Sequence, residues 1–514
     1  MMNVKLASTC CVMTLALGAI AENATWSGAE DGDPTKVANW SGTTGCGSLT
    51  DTSNRDAATF RGAPVNTTIV PPADTQWIIG TIFFNSRNGQ AAQWKIGSGD
   101  RDATPIFLAG IGSGEASFSH EDGITDFVVD MAGPFVKNNN YQFSCNSTEP
   151  SNAFKIGAVS GKGDVQLKGS GDRGIIYGPL SDGADGSLAI GKLHAGTWTV
   201  KGNNTFTGVV SINMGTIIVA GDVGAAGVPG PLGANSSYAS GLGVRVGNPN
   251  PSATTMDFSA LLLGYNDDGT PVTFARETTS QQNNKPEYNQ LAHFGGANTD
   301  GVTKFTATVR AYRPSVLKCA AGGTVSFVGN FNPYDRPVTI GTADFPGTVQ
   351  LKNSLNTSSG VTCAYGTLDM CAELKAATVI ESGAALTSSS ATAGKVTGAL
   401  TVNAGGVLAG TEGGKLQIKG DLVLNEGAVL RFPAAAREAA LLTVDAELSL
   451  EDVKVQLVAP EEPPAGRFPL LTATGGLTDA DKVDASELPR HYVVRADGNT
   501  LYGSYSPGMS VILR

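Results

Sequence analysis

Between Ala376 and Leu430 the chain writes one hydrophobic and polar pattern three times. AATVIESGAAL, GALTVNAGGVL and GDLVLNEGAVL begin at residues 376, 398 and 420, a period of 22. Thr378, Leu400 and Leu422 align, as do Ile380, Val402 and Leu424, with Val379, Thr401 and Val423 between them. Apolar positions two apart predict strands with one face in a shared interior and the intervening residue outside. Glu381, Asn403 and Asn425 follow. Stacked asparagines at such a column are expected to hydrogen-bond along a ladder rather than to face a ligand. Gly383, Gly405 and Gly427 come next, predicting a corner with φ > 0, and Leu386, Leu408 and Leu430 then open a further strand. The period is too short for helical repeats, the i, i+3, i+4 apolar spacing is missing, and no fixed leucine ladder is present. The pattern predicts an all-β solenoid, each repeat one turn of a parallel β-helix.

The rest of the chain is less regular. Residues 151–430 are expected to form the β-helix, with irregular coils and loops at about 236–346. Within it, GTWTVKGNNTFTGVVSINMGTIIV (Gly196–Val219) aligns without gaps to GTVQLKNSLNTSSGVTCAYGTLDM (Gly347–Met370), with Lys201/Lys352, Gly215/Gly366 and Thr216/Thr367 among the identities. The polar tract Thr278–Gln290 is expected to be an exposed excursion. Residues 22–150 are expected to form a β-rich N-terminal capping region. Trp26, Trp40, Trp77 and Trp94 are predicted to cover the open end of the solenoid, the sharper alternative being carbohydrate stacking. Residues 431–514 are expected to form a C-terminal β cap. In it, Pro433–Leu442 (PAAAREAALL) reads as a short helix or a loop, and Asp497-Gly498-Asn499 reads as the turn of a hairpin.

Charge and cysteine usage narrow the picture. The formal net charge is −11, which argues against a nucleic-acid role. Lys5, the apolar run Cys10–Ile20 and Ala19-Ile20-Ala21 read as an export signal over residues 1–21. The run is shorter than the ~20 residues that span a bilayer, and no transmembrane segment is expected after cleavage. Five cysteines remain beyond it: Cys46, Cys145, Cys319, Cys363 and Cys371. An odd number leaves at least one thiol unpaired within the chain; Cys363 and Cys371 are close enough to pair across a turn, or stand as two independent buried thiols.

Candidate chemistry is sparse. Asn298-Thr299-Asp300 and Asp267-Asp268 match fragments seen in pectin hydrolases, but in reversed order and without a Gly-His-Gly. His120, His194, His293 and His491 sit in unrelated contexts. Asp31-Gly32-Asp33 and Asp267-Asp268-Gly269 read as turn aspartates, since neither continues into a calcium-ligand set. There is no G-x-S-x-G elbow, P-loop, HExxH or zinc spacing. No catalytic, cofactor-binding or metal-ligating residue is assigned, and no cofactor is expected.

KGNNTFTGVVSINMGTIIVAGD resembles the autotransporter-associated β-strand repeat, also called the passenger-associated transport repeat. Gly202, Asn203, Asn204, Thr205, Phe206, Thr207, Gly208, Ile212, Asn213, Gly215 and Thr216 match its usual form, with Ile217 in place of leucine. The opening W-S-G…N-W block and the closing PPAGRFPLLTATGGL are similar to the ends of such passengers. The resemblance implies an exported right-handed parallel β-helix, extracellular or on the outer surface of a Gram-negative-type cell. The sequence after Leu430 lacks the family's membrane barrel, so self-translocation is not expected. The expectation is a structural or adhesive protein without catalysis, with glycans or surface proteins as partners. The alternative is a polysaccharide lyase or glycoside hydrolase on the same scaffold.

Overall fold

A computed structural model describes residues 23–507 apart from 43–44, 63, 86–90, 110–113, 120–123, 138, 236–242, 252–257, 283, 285–289 and 393. The described residues form strands and short 3-10 turns, with no α-helix among them. Most strands pair in parallel within long sheets. The expected export signal at 1–21 and His120 lie outside the described residues.

Consecutive strands enter different sheets in rotation. Phe127–Met131 joins one sheet, Phe135–Lys137 a second and Tyr141–Cys145 a third. Ala153–Ile156, Val159–Gly161 and Gly163–Lys168 then pair in parallel with those three in the same order. Gly174–Ile176, Leu180–Asp182 and Leu188–Lys192 repeat the cycle. The ladders therefore run without a break across residue 150. One sheet of 13 strands reaches from Trp40–Ser41 to Phe331–Asn332, and a five-stranded sheet from Trp77–Ile79 to Leu180–Asp182. The strand Ser315–Phe327 is 13 residues long and serves two ladders. Its first residues pair with Ala292–Gly296 and its last with Val302–Phe305, with a register break between Cys319 and Thr324. It joins two ladders; it does not close a barrel.

The 22-residue repeat has the predicted register. Thr378 faces Leu400, which faces Leu422, and Ile380 faces Val402, which faces Leu424. Leu386, Leu408 and Leu430 share the neighbouring column. Ile380 and Val402 are fully buried, and Leu424, on the edge strand, is partly buried against the same core. Gly383, Gly405 and Gly427 have φ of 81°, 73° and 77°, where a side chain costs about 1–2 kcal/mol. Asn403 Nδ2 donates to Glu381 Oε2 at 2.8 Å, and Asn425 Nδ2 to Asn403 Oδ1 at 2.8 Å, so the polar column is a hydrogen-bonded ladder. The similarity of 196–219 to 347–370 is also one of register: Thr197 faces Thr216 as Thr348 faces Thr367.

Both ends turn antiparallel. Asn23–Trp26 pairs antiparallel with Trp40–Ser41, and Tyr492–Asp497 forms the expected hairpin with Thr500–Tyr505, Gly498 at φ 58° in its turn. Trp26 and Trp40 meet edge to face at 5.0 Å over Phe60.

One expectation is decided between its two alternatives and one is corrected. Pro433–Leu442 holds no helix: Val429–Pro433 continues a strand paired with Lys454–Val458, and the next residues loop to the strand Leu442–Val444. Packing of Ala434 into the core outweighs the local helix propensity. Thr278–Ser280, the start of the polar tract, is a buried strand paired with Val244–Val246 and Val309–Ala311. Its polar groups are satisfied locally, Thr278 Oγ1 donating to Val244 O at 3.1 Å and Ser280 Oγ accepting from Tyr312 N at 2.8 Å. Residues 283 and 285–289 of that tract lie outside the described residues.

Candidate functional site

The five-stranded sheet presents a groove on its outer face. Its strands are short triplets whose first residues are buried. Ile78, Phe107, Val136, Ser160 and Ser181 are the middle residues, in register from strand to strand. Phe107, Val136, Ser160 and Ser181 are half-buried, and the last three form the groove floor. Pro134, Ala158 and Pro179 precede three of the triplets and make one wall. Gly161-Lys162 and Gly183-Ala184-Asp185 follow two of them and make the other. The close packing of these turns requires glycine at Gly133, where φ is 74° and a Cβ would lie 2.4 Å from Ala158 O. The groove comprises two adjoining clefts of about 180 and 190 Å³ that share Ser160. Arg101 stands at one end, Lys162 and Asp185 at the other.

The groove is distinguished by what its side chains do not do. Among the described residues the side chains of Arg101, Lys162, Ser181 and Asp185 have no hydrogen-bond or ion-pair partner, and Ser160 Oγ makes only a 3.4 Å bond to Phe135 O. Charged and hydroxyl groups at a concave surface are therefore available to a ligand.

The residues singled out in the sequence are committed elsewhere. Asn298 is fully buried and bonded to Asp300 O, Gly301 O and Thr303 Oγ1, so it is internal scaffold. The structure does place Asp300 and the 265–271 turn on neighbouring layers, with Tyr265 Oη donating to Asp300 Oδ1 at 2.6 Å. Asp267 pairs with Lys201 at 3.0 Å, and Asp268 accepts from Thr270 at 2.6 Å. Each carboxylate thus has its own partner. Asp31 accepts from Asn39 and Lys36, whose ammonium holds its carboxyl down at about 2, and Asp33 closes a turn onto Thr35. Trp26, Trp40, Trp77 and Trp94 are 4% exposed or less, which withdraws all four from carbohydrate stacking. Trp26, Trp40 and Trp77 donate their ring N–H to backbone carbonyls.

The residues of the stretch 201–222 also have internal tasks. Asn204 is fully buried; its Oδ1 accepts from Leu180 N at 2.8 Å and its Nδ2 donates to Pro231 O at 2.7 Å. Thr207 bonds Asp182 through Oγ1 at 2.7 Å, and Phe206 is in the core.

Several buried cations hold loops. Arg276 donates to carbonyls of Gly233 and Val228 and to Asn235 Oδ1, and Arg313 to Gln281 O, Asn248 O and Gln290 Oε1. Burial lowers both to about 10. Lys192 Nζ donates to the carbonyls of Leu193, His194 and Met214, and burial brings it down to about 7. His293 stacks on Phe258 at 4.6 Å; both its ring nitrogens are buried without partners, and burial, aided by Lys318, brings it down to about 3. His491 lies edge-on to Tyr505, and His194 is held at φ 66°.

A second polar cluster lies on the outer face of the C-terminal ladders. Asp369 accepts from Ser389 Oγ at 2.6 Å and Gln350 Nε2 at 2.7 Å, and Gln350 accepts from Ser326 at 2.9 Å. Cys371 is half-buried beside it, with Lys352 Nζ 3.5 Å from its Sγ. Cys46, Cys145, Cys319 and Cys363 are buried, and no disulfide joins any two of the five. Of the two readings of Cys363 and Cys371, the pairing is not the one formed, because Cys363 ends an inward-facing triplet and Cys371 opens an outer corner.

No group of three or more His, Cys, Asp or Glu able to hold a metal occurs among the described residues, and no helix among them is long and apolar enough to cross a membrane. No protein-family model, curated protein or solved structure matches the chain.

The groove residues left no mark in the sequence pattern. PFVK, AVSGK and PLSDGAD share only an apolar residue two positions before a lysine, a glycine or an aspartate.

Proposed function

We propose that the chain is an exported, right-handed parallel β-helix that binds an extended glycan along the five-stranded sheet without transforming it. The rotation of strands through three sheets supports the β-helical reading, since each cycle adds one rung of ~4.8 Å to every ladder. The export signal and the autotransporter-like stretch 201–235 support a place outside the cell or on its outer surface, with a structural or adhesive role. One observation carries the binding reading. The groove gathers unpartnered Arg101, Lys162, Ser181 and Asp185, while Asp267, Asp268 and Asp300 are each tied to a neighbour. A retaining or inverting glycosidase needs two carboxyl groups across one scissile bond, and the groove lining holds one, Asp185. A glycan array run beside a reducing-sugar assay tests this. Binding without release is expected; release of sugar from any bound polysaccharide refutes it.

A further inference from the structure

We propose that the groove selects acidic oligosaccharides, with Arg101 and Lys162 each taking a carboxylate of the ligand. This rests on the glycan-binding reading above and adds the ligand's charge. Two cations without partners stand in one groove on a chain of net charge −11. Lys36, Lys201, Lys454 and Lys482, by contrast, each pair with an acid. A planar guanidinium matches a carboxylate in two parallel hydrogen bonds, and an ammonium serves as a point charge for the second.

The floor fits a sugar chain between those ends. Ser160 and Ser181 offer hydroxyls in register on adjacent strands. Asp185 accepts from ligand hydroxyls beside Lys162. Val136, Pro134 and Pro179 offer apolar surface to the C–H faces of the rings. Val136 to Ser181 spans two strand spacings, ~10 Å, so the floor accommodates an oligomer lying across the strands. The two charges sit at opposite ends of the groove, which suits acid groups spaced along a ligand. A polyphosphate would bring denser negative charge against a protein of the same sign.

The test is titration calorimetry of the full chain with oligouronates and with the same oligomers after carboxyl reduction. The acidic oligomer is expected to bind, and the neutral counterpart to bind about tenfold or more weakly. Arg101→Gln and Lys162→Gln are each expected to weaken acidic binding about tenfold or more, and to abolish the preference together. Arg101→Lys should recover part of it, since charge returns without the fork. Equal binding of both oligomers, or tighter binding of polyphosphate, overturns the acidic assignment and leaves a glycan groove standing. Ser160→Tyr fills the floor from the outer face, where the native hydroxyl makes one weak bond. If this variant keeps its melting temperature and still binds every oligomer, the groove itself is the wrong site.

Discussion

Val402→Ala and Thr401→Ala remove the same number of heavy atoms from adjacent residues, yet their costs should differ severalfold. Val402 has no exposure and stands between Ile380 and Leu424; Thr401 is half-buried on the outer face between Val379 and Val423. Each buried methylene is worth about 0.8 kcal/mol, so the valine loses about 1.6 kcal/mol of transfer free energy. The rungs on either side cannot collapse into the gap, and the cavity brings the total to roughly 2–2.5 kcal/mol. The threonine change should stay within about 0.5 kcal/mol. Because Ile380 and Val402 touch, the double variant with Ile380→Ala should be non-additive by at least about 0.5 kcal/mol. The assay is native-state amide exchange over residues 378–430, which reads local stability in a ladder whose ends open independently. A Thr401 effect as large as that of Val402, or additive losses at 380 and 402, would refute the shared interior column.

Three further outcomes follow from individual side chains. His293 is held neutral down to about pH 3 against 6.5 unfolded, so the unfolded state binds the extra proton in that window. Its contribution is present above pH 6.5 and is lost as pH falls, by up to about 1.4 kcal/mol per pH unit. His293→Phe, which keeps a ring on Phe258, should flatten urea-melt stability between pH 6.5 and 4.5. Asn204→Ala leaves Leu180 N without its acceptor and should cost about 2–3 kcal/mol in chemical denaturation. In the chain from residue 22 onward, Ellman's reagent should titrate one thiol, Cys371, in the native state and five after unfolding.

The repeat at 376–430 was legible because three consecutive layers have the same length. Equal length puts chemically equivalent side chains in one column, so Ile380, Val402 and Leu424 could be aligned by counting. Gly383, Gly405 and Gly427 were legible for the same reason, and their φ values have the predicted sign. The groove was not legible. Phe135, Val159 and Leu180 share a column, but turns of different length separate them, so no fixed period connects Val136, Ser160 and Ser181. Arg101 reaches that groove from the loop after Ala92–Ile96, a juxtaposition that depends on sheet stacking alone. Residues 22–150 read as a cap because an open solenoid end needs cover and Trp26, Trp40, Trp77 and Trp94 are large enough to give it. Trp94 and Phe154 nevertheless occupy the same ladder as Trp198, so the change is one of side-chain volume and not of backbone order. Arg276 and Arg313 gave no signal, since their partners are backbone carbonyls and amide side chains whose positions no residue type announces.

The parallel register is tested most directly by nitroxide labels on the outer column, introduced at Val379, Thr401 and Val423 in a Cys371→Ser background. Thr401 faces Val423, so a pair of labels there should lie about one strand spacing, ~5 Å, apart at the backbone and show strong spin–spin broadening. Labels at 379 and 423, two spacings and ~10 Å apart, should broaden less. A 401/423 pair without broadening, or a 379/423 pair closer than it, would contradict the stacked parallel order on which the fold and its groove depend.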